Sequence, residues 1–334
     1  MIPPLPNLAA EARVDFLADR TVAVLGFGAQ GAAHALNLRD SGVRTIVGQR
    51  PGGPRHAAAA AQGFSPVSIA EAARQADLLI LALPDDAAPA VFQSEILPHL
   101  HGGQALGFIH GFNIHYQCIQ PPAELDVLLV APKAQGRAVR SEFALGRGVM
   151  SLIAVGQDAS GSARKTALGW AAALGSARSA IFETTFKDET ESDLFGEQAV
   201  LCGGLTALIQ AGFDTLVAAG YPAELAYFEC CHEVKLIADL IHDMGIEAMR
   251  QRISTTARYG DITRGPRVID EHVREQMRRI LDEIRSGAFA REFLAAGGRK
   301  LAAASGGFRS AQPNLPDSEL DRCGARVRGF LPRA

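Results

Sequence analysis

The sequence predicts an α/β protein: a doubly wound parallel sheet in the first half, followed by an all-helical second domain. Three observations predict it. Short apolar runs alternate with Ala-rich helical stretches up to about residue 185. A glycine-rich turn, Gly26-Phe-Gly-Ala-Gln-Gly31, joins the first run to the first helix. Beyond Lys187, apolar residues recur at spacings of three and four, as in Val200, Leu201, Leu205 and Leu208, which is the period of a helix. At about 150 residues per domain, 334 residues allow two, read as 1–185 and 186–331.

Each strand of the first domain is predicted from a run without polar alternation, as expected of strands covered on both faces. In order these are Val22–Leu25, Thr45–Val47, Leu78–Ala82, Ala105–Phe108, Val127–Val130, Leu152–Val155 and Ala180–Phe182. Between them, Ala32–Arg39 and Ile69–Gln75 read as helices. Repeated strand–helix alternation implies a parallel sheet with crossover helices. The second domain continues its helical texture to about Ala295, and the Gly-, Ala- and Ser-rich tail from Gly297 reads as loosely ordered.

Composition excludes several function classes. Lys and Arg total 33 against 36 Asp and Glu, a net charge of −3, which provides no footprint for nucleic acid or an anionic membrane. The longest stretch free of Asp, Glu, Lys and Arg, Ile96–Ala123, holds three prolines and four histidines and cannot be a membrane span. Five cysteines without CxxC spacing indicate neither a disulfide framework nor a zinc site. Residues 1–10 lack the basic and apolar regions of a signal peptide, so a cytoplasmic protein is expected.

The chemistry is read from spacing and placement. A GxGxxG string between a strand and a helix lets a pyrophosphate approach the helix N-terminus; the first domain is therefore read as Rossmann-type, with Gly26, Gly28 and Gly31 on the dinucleotide. The loop after the second strand carries Arg50 and Arg55 and no acidic residue. Guanidinium groups suit a 2′-phosphate, whereas a carboxylate there would bind a bare ribose, so NADPH is expected. His110 and Lys133 follow the fourth and fifth strands, at the edge where such sheets gather ligands; either residue alone would read as structural. Asp193 and Glu197, and likewise Glu229 and Glu233, are four apart and share a helix face. Either pair alone reads as a solvated face. Two pairs set among apolar residues would be costly as partly buried charges unless a cation neutralised them, and oxygen ligands suit Mg²⁺.

Longer strings resemble a known family. Gly31-Ala-Ala-His-Ala-Leu-Asn-Leu-Arg-Asp-Ser-Gly42, His110-Gly-Phe-Asn-Ile-His115, Glu183-Thr-Thr-Phe-Lys187, Asp193-Leu-Phe-Gly-Glu-Gln-Ala-Val-Leu-Cys-Gly-Gly204 and Ala226-Tyr-Phe-Glu-Cys-Cys-His-Glu233 are similar to ketol-acid reductoisomerases of the short class I form. The resemblance implies a knotted-type helical domain and a bifunctional reaction of valine and isoleucine synthesis. In it, 2-acetolactate or 2-aceto-2-hydroxybutyrate undergoes a Mg²⁺-assisted alkyl shift and NADPH reduces the product. It implies Asp193, Glu197, Glu229 and Glu233 as metal ligands, the last two reaching a partner subunit's site. His110, Lys133 and Glu233 become catalytic candidates and Ser254 a holder of the substrate carboxylate; a homodimer or higher oligomer follows. It adds Phe27, Ala29, Gln30, Gly53, Asp85 and Gly136 to the nucleotide set. The chain departs from the family pattern at Phe27, Ala29, Gly53, Arg55, Ala88 and Ala134-Gln-Gly-Arg137, all on the cofactor side. Two other readings stand beside this one: a simple NAD(P)-dependent hydroxyacid dehydrogenase, and a non-catalytic nucleotide-binding paralogue.

Overall fold

A computed structural model describes residues 3–297 and 318–330. The sheet has seven strands: β1 (Thr21–Leu25), β2 (Arg44–Gly48), β3 (Leu78–Leu81), β4 (Ala105–Phe108), β5 (Asp126–Pro132), β6 (Ser151–Gln157) and β7 (Ile181–Glu183), in the order β2-β1-β3-β4-β5-β6-β7. All seven fall on the predicted runs. One expectation is corrected: β6 pairs antiparallel to β5, Val130 opposite Ile153 and Pro132 opposite Ser151, while every other pairing is parallel. An apolar run buried on both faces reads the same in either direction, so its sequence carries no signal of the reversal.

Alternate residues of the strands feed two cores. Val22, Val24, Leu78, Ile80, Leu128 and Val130 join Ala35 and Leu38 of α1 (Ala29–Asp40) and Trp170 of α7 (Ala163–Ala173) on one face. Ala23, Leu25, Leu79, Leu81, Leu106 and Leu129 join Ala72 and Ala73 of α3 (Ile69–Gln75), with Phe92 and Ile96, on the other. Between α1 and α3 lie β2 and α2 (Pro54–Ala61). The chain winds outward from β1 in both directions, so the crevice between β1 and β3 is the switch point where such sheets bind ligands.

On the first face, α1 is tied to α6 (Gly136–Ala144) and α7 by one buried side chain. Asn37 donates to the carbonyls of Val139 at 3.2 Å and Leu174 at 3.3 Å, and accepts from Arg140 Nη1 at 2.8 Å. Short helices α4 (Ala88–Val91) and α5 (Phe112–His115) follow β3 and β4.

The chain divides into two compact units at Ser192/Asp193. The change of sequence texture falls at the start of α8 (Phe186–Phe195). The division lies further along that helix because Phe186, Glu189, Thr190 and Glu191 are buried, Phe186 in the second core of the sheet unit. The second unit is helical: α9 (Gly203–Ala218), α10 (Ala223–Tyr227), α11 (Val234–Arg250, bent at Gly245), α12 (Thr255–Val268), α13 (Glu271–Arg285) and α14 (Ala288–Ala296). It ends in α15 (Glu319–Arg328). That last helix corrects the expectation of a wholly loose tail, since Cys323 and Val327 are buried at its inner face; residues 298–317 lie outside the described part. By length and composition one helical run among the described residues, Phe186–Ala218, is long and apolar enough to cross a membrane, although it carries Glu189, Asp193 and Glu197, which are costly in hydrocarbon.

Candidate active site

The glycine-rich turn opens α1 earlier than the sequence suggested: the helix starts at Ala29 rather than Ala32, so its first amides lie inside the motif. Gly26 holds φ at +104°, and a Cβ there would stand 2.4 Å from the Ala82 carbonyl oxygen; only glycine fits. A Cβ on Gly31 would stand 2.2 Å from the Gly26 oxygen. The N-cap is Gly28, and no side chain caps the helix, leaving its end available to an anion.

Around this turn the structure gathers most of the predicted nucleotide residues. A cavity of about 340 Å³ is lined by Phe27, Gly28, Ala29, Ala32, Leu36, Arg55, Ala58 and Gln62. Gly53 is the N-cap of α2 and Arg55 lies in its first turn, while Arg50 is exposed in the preceding loop. Gln30 donates to the Ala134 carbonyl at 2.8 Å, and its Oε1 is buried without a hydrogen-bond partner. A Cβ on Gly136 would stand 2.2 Å from the Ala29 oxygen, so α1 and α6 meet backbone to backbone. The glycine-lined cradle, the uncapped helix end and the orphaned Gln30 oxygen together fit a dinucleotide.

Beyond β3, β4 and β5 a second cluster forms. Asp85, predicted on the nucleotide, places Oδ2 3.6 Å from His110 Nδ1 and accepts from Asn113 Nδ2 at 3.1 Å. Glu189 of α8, 1% exposed, accepts from Lys133 Nζ at 2.8 Å and from the Gly111 amide at 3.0 Å. Next along α8, Glu191 is buried with Oε1 3.4 Å from His115 Nε2. Glu189 and Glu191, two residues apart on α8, thus hold the segment that carries His110 and His115. A ligand atom of His110 and one of Glu189 lie within 4.8 Å of each other, and Asp193 stands one turn on along the same helix.

Glu189 and Glu191 are the residues that sequence reasoning missed. The signal was present: Glu189, Asp193 and Glu197 form an acidic series of period four, and only its last two members were singled out.

The carboxylate pairs stand where helical spacing put them, with two corrections. Both run into π-turns, Gly196–Leu201 holding Glu197 and Phe228–His232 holding Glu229, with the Glu233 amide donating to the Phe228 carbonyl at 3.1 Å. Such turns are frequent at functional sites. The four carboxylates are not all partly buried: Asp193 is half-buried, while Glu197, Glu229 and Glu233 are exposed. Their neighbours Val200, Leu201 and Phe228 are exposed too, so apolar neighbours within one chain part-bury Asp193, beside buried Leu194, and leave the other three exposed. Each pair offers carboxylate oxygens four residues apart on one helical run, donors that suit a hard divalent cation. Ser254 is the N-cap of α12 and accepts from the Ala257 amide at 3.1 Å; its hydroxyl proton stays available to a ligand.

A doubly wound sheet with this turn and cradle, and an ionisable cluster beside it, defines a dinucleotide-dependent oxidoreductase. Residues 16–180 match the acetohydroxy acid isomeroreductase NADPH-binding domain, and residues 186–333 match the ketol-acid reductoisomerase C-terminal domain. The chain is similar to an NADH-preferring ketol-acid reductoisomerase from an uncultured archaeon, with 39% identity, a TM-score of 0.93, and 99% of this chain and 100% of that one covered. It belongs to the ketol-acid reductoisomerase family. More distant likenesses concern the fold alone. A semialdehyde dehydrogenase NAD-binding protein from Cupriavidus necator is 19% identical with a TM-score of 0.58, over 78% of this chain and 99% of its own. A putative oxidoreductase from Jannaschia sp. is 15% identical with a TM-score of 0.57, over 80% of this chain and 97% of its own.

Proposed function

We propose that the protein is a Mg²⁺-dependent ketol-acid reductoisomerase of valine and isoleucine synthesis, acting in the cytoplasm on 2-acetolactate or 2-aceto-2-hydroxybutyrate with NADPH. The observation that carries this reading is the joining of the Lys133–Glu189 pair and His110 to the helix that continues into Asp193 and Glu197. A hydroxyacid dehydrogenase needs the dinucleotide cradle but has no use for two carboxylate pairs, and a non-catalytic paralogue has no use for either ionisable group.

In this reading Asp193 and Glu197 hold the cation from one chain, and Glu229 and Glu233 hold it from a second copy. Bound there, divalent ions supply Lewis acidity to the carbonyl and hydroxyl oxygens of the substrate. Lys133, fixed by Glu189, offsets the excess negative charge of that cluster and orients it. His110, steered by Asp85 at Nδ1, presents its other ring nitrogen towards the reacting groups. Glu233 relays a proton, and Ser254 donates its hydroxyl proton to the substrate carboxylate. The α1 N-terminus holds the pyrophosphate, and Arg50 and Arg55 hold the 2′-phosphate. The similar enzyme from an uncultured archaeon is named as NADH-preferring; the preference proposed here rests on this chain's two arginines.

The decisive measurement is dinucleotide oxidation with 2-acetolactate before and after metal removal. Turnover that needs added Mg²⁺ and ceases with EDTA is expected. Turnover that survives complete chelation would mean the isomerase reading is wrong.

A further inference from the structure

We infer that the C-terminal helix α15 is a clamp that positions the acidic turn Phe228–His232, acting through Tyr227, Gly324 and Arg328. The inference rests on the proposed metal role of Glu229 and Glu233 and goes beyond it, because it assigns work to a segment that touches neither carboxylate.

The turn lies inside one unbroken helical run from α10 to α11, and Phe228, Glu229, His232 and Glu233 on its outer side are exposed. Its inner side is held through Tyr227, the residue before it, and through Cys230, which faces Gly212 of α9. Tyr227 is buried with Ala226, Phe213, Cys323 and Val327 in one apolar cluster, with Cys230 and Cys231 packed at its edge.

Helix α15 supplies the far wall of that cluster and most of its polar ties. Arg328 Nη1 donates to the Tyr227 hydroxyl at 3.2 Å, and Arg326 Nη2 pairs with Glu224 Oε1 at 2.8 Å. Ser318 Oγ donates to Gln210 Oε1 of α9 at 3.3 Å. The fit is closest at Gly324, where a Cβ would stand 2.6 Å from Tyr227 Cε2 and 2.7 Å from Arg328 Nη1. Any larger residue at 324 must push the ring away, and Glu229 follows that ring by two positions. Tyr227, Gly324 and Arg328 are therefore positioning residues for the carboxylate turn.

The test uses the full-length protein with Mn²⁺ as the probe, its affinity read by EPR, and dinucleotide affinity read separately by fluorescence. Gly324→Ala is expected to weaken Mn²⁺ binding by about tenfold or more with the dinucleotide Kd unchanged. Tyr227→Phe keeps the ring and loses only the bond to Arg328, so it remains informative if Gly324→Ala does not fold; a weakening of about three- to tenfold is expected. Wild-type Mn²⁺ affinity in either folded variant overturns the clamp. Glu229→Gln is the control for the underlying reading: if it binds Mn²⁺ as tightly as wild type, the metal assignment itself is wrong and the clamp falls with it.

Discussion

The proposed NADPH preference turns on Arg55, because a glycine turn binds either dinucleotide. It shares a cavity with Gly28 and Ala29, where the proposed function puts the 2′-phosphate. A charge-assisted bond of this kind contributes about 1.5–3 kcal/mol. Arg55→Ala is therefore expected to lower kcat/KM for NADPH by about 10- to 100-fold and to leave NADH nearly unaffected. Equal losses with the two cofactors would refute the 2′-phosphate role. His34 carries a different kind of prediction. It is fully buried on α1, its Nδ1 accepts from Trp170 Nε1 at 3.2 Å, and burial pushes its pKa down from 6.5 to about 3. The unfolded chain thus binds a proton that the folded chain refuses. His34 favours folding above pH 6.5, and this contribution is lost as the pH falls from there towards 3. Between about pH 6.5 and 4.5 the loss from this one group is roughly 2–3 kcal/mol. His34→Gln, which keeps an acceptor for Trp170, is expected to flatten that part of the stability curve in urea titrations at the two pH values. An unchanged difference would show that His34 is not the source. This histidine lies inside a family string, yet its burial was not legible from the sequence, because nothing local says that Trp170 will lie beside it.

Elements were legible in proportion to how local their cause is. The strands are apolar runs and the first turn is a motif, so both were found; the reversal of β6, the π-turns at Glu197 and Glu229, and the folding of α15 were not. The reversal of β6 and the folding of α15 depend on partners distant in sequence, such as Tyr227 beneath Gly324, and the π-turns are local departures from helical period that apolar spacing does not mark. The candidate site divides the same way. Gly26, Gly31 and Lys133 stand at strand ends, where sequence alone puts them; the acidic series of period four pointed to Glu189, but its contact with Lys133, 56 residues away, was not legible. The contact between α1 and α6 is the element-scale feature with the clearest consequence. Gly136 allows the two helix starts to meet, and it stands three residues after Lys133, so one contact joins the nucleotide turn to the strand end that carries the lysine. Gly136→Ala would place a methyl group 2.2 Å from the Ala29 oxygen. Backbone against backbone cannot yield cheaply, and overpacking of this kind costs about 1–3 kcal/mol. Weaker dinucleotide binding by fluorescence titration, together with lower thermal stability, is expected. Loss of stability with intact affinity would separate the contact from the site.

At the scale of the whole molecule, the second unit leaves much apolar surface uncovered. Leu201, Leu208, Leu225, Leu236 and Ile262 are exposed, as are Val200 and Leu205 in the apolar part of Phe186–Ala218. Exposure on this scale marks an interaction surface, and the acidic side chains along the same helices point to protein rather than lipid as its cover. A second copy of the chain is the partner that the proposed function requires, since Asp193 and Glu197 would then meet Glu229 and Glu233 of another subunit. That arrangement makes a prediction that a chain with a self-contained site would fail. Asp193→Asn and Glu229→Gln should each be inactive alone, because each spoils both sites of its own homodimer. After subunit exchange, half the molecules are mixed dimers, and in each of these one site carries both substitutions while the other carries neither. Recovery to about a quarter of wild-type activity is therefore expected on mixing, with Mg²⁺ and dinucleotide present. If each site drew all four carboxylates from one chain, every site in the mixture would still carry one lesion and no activity would return.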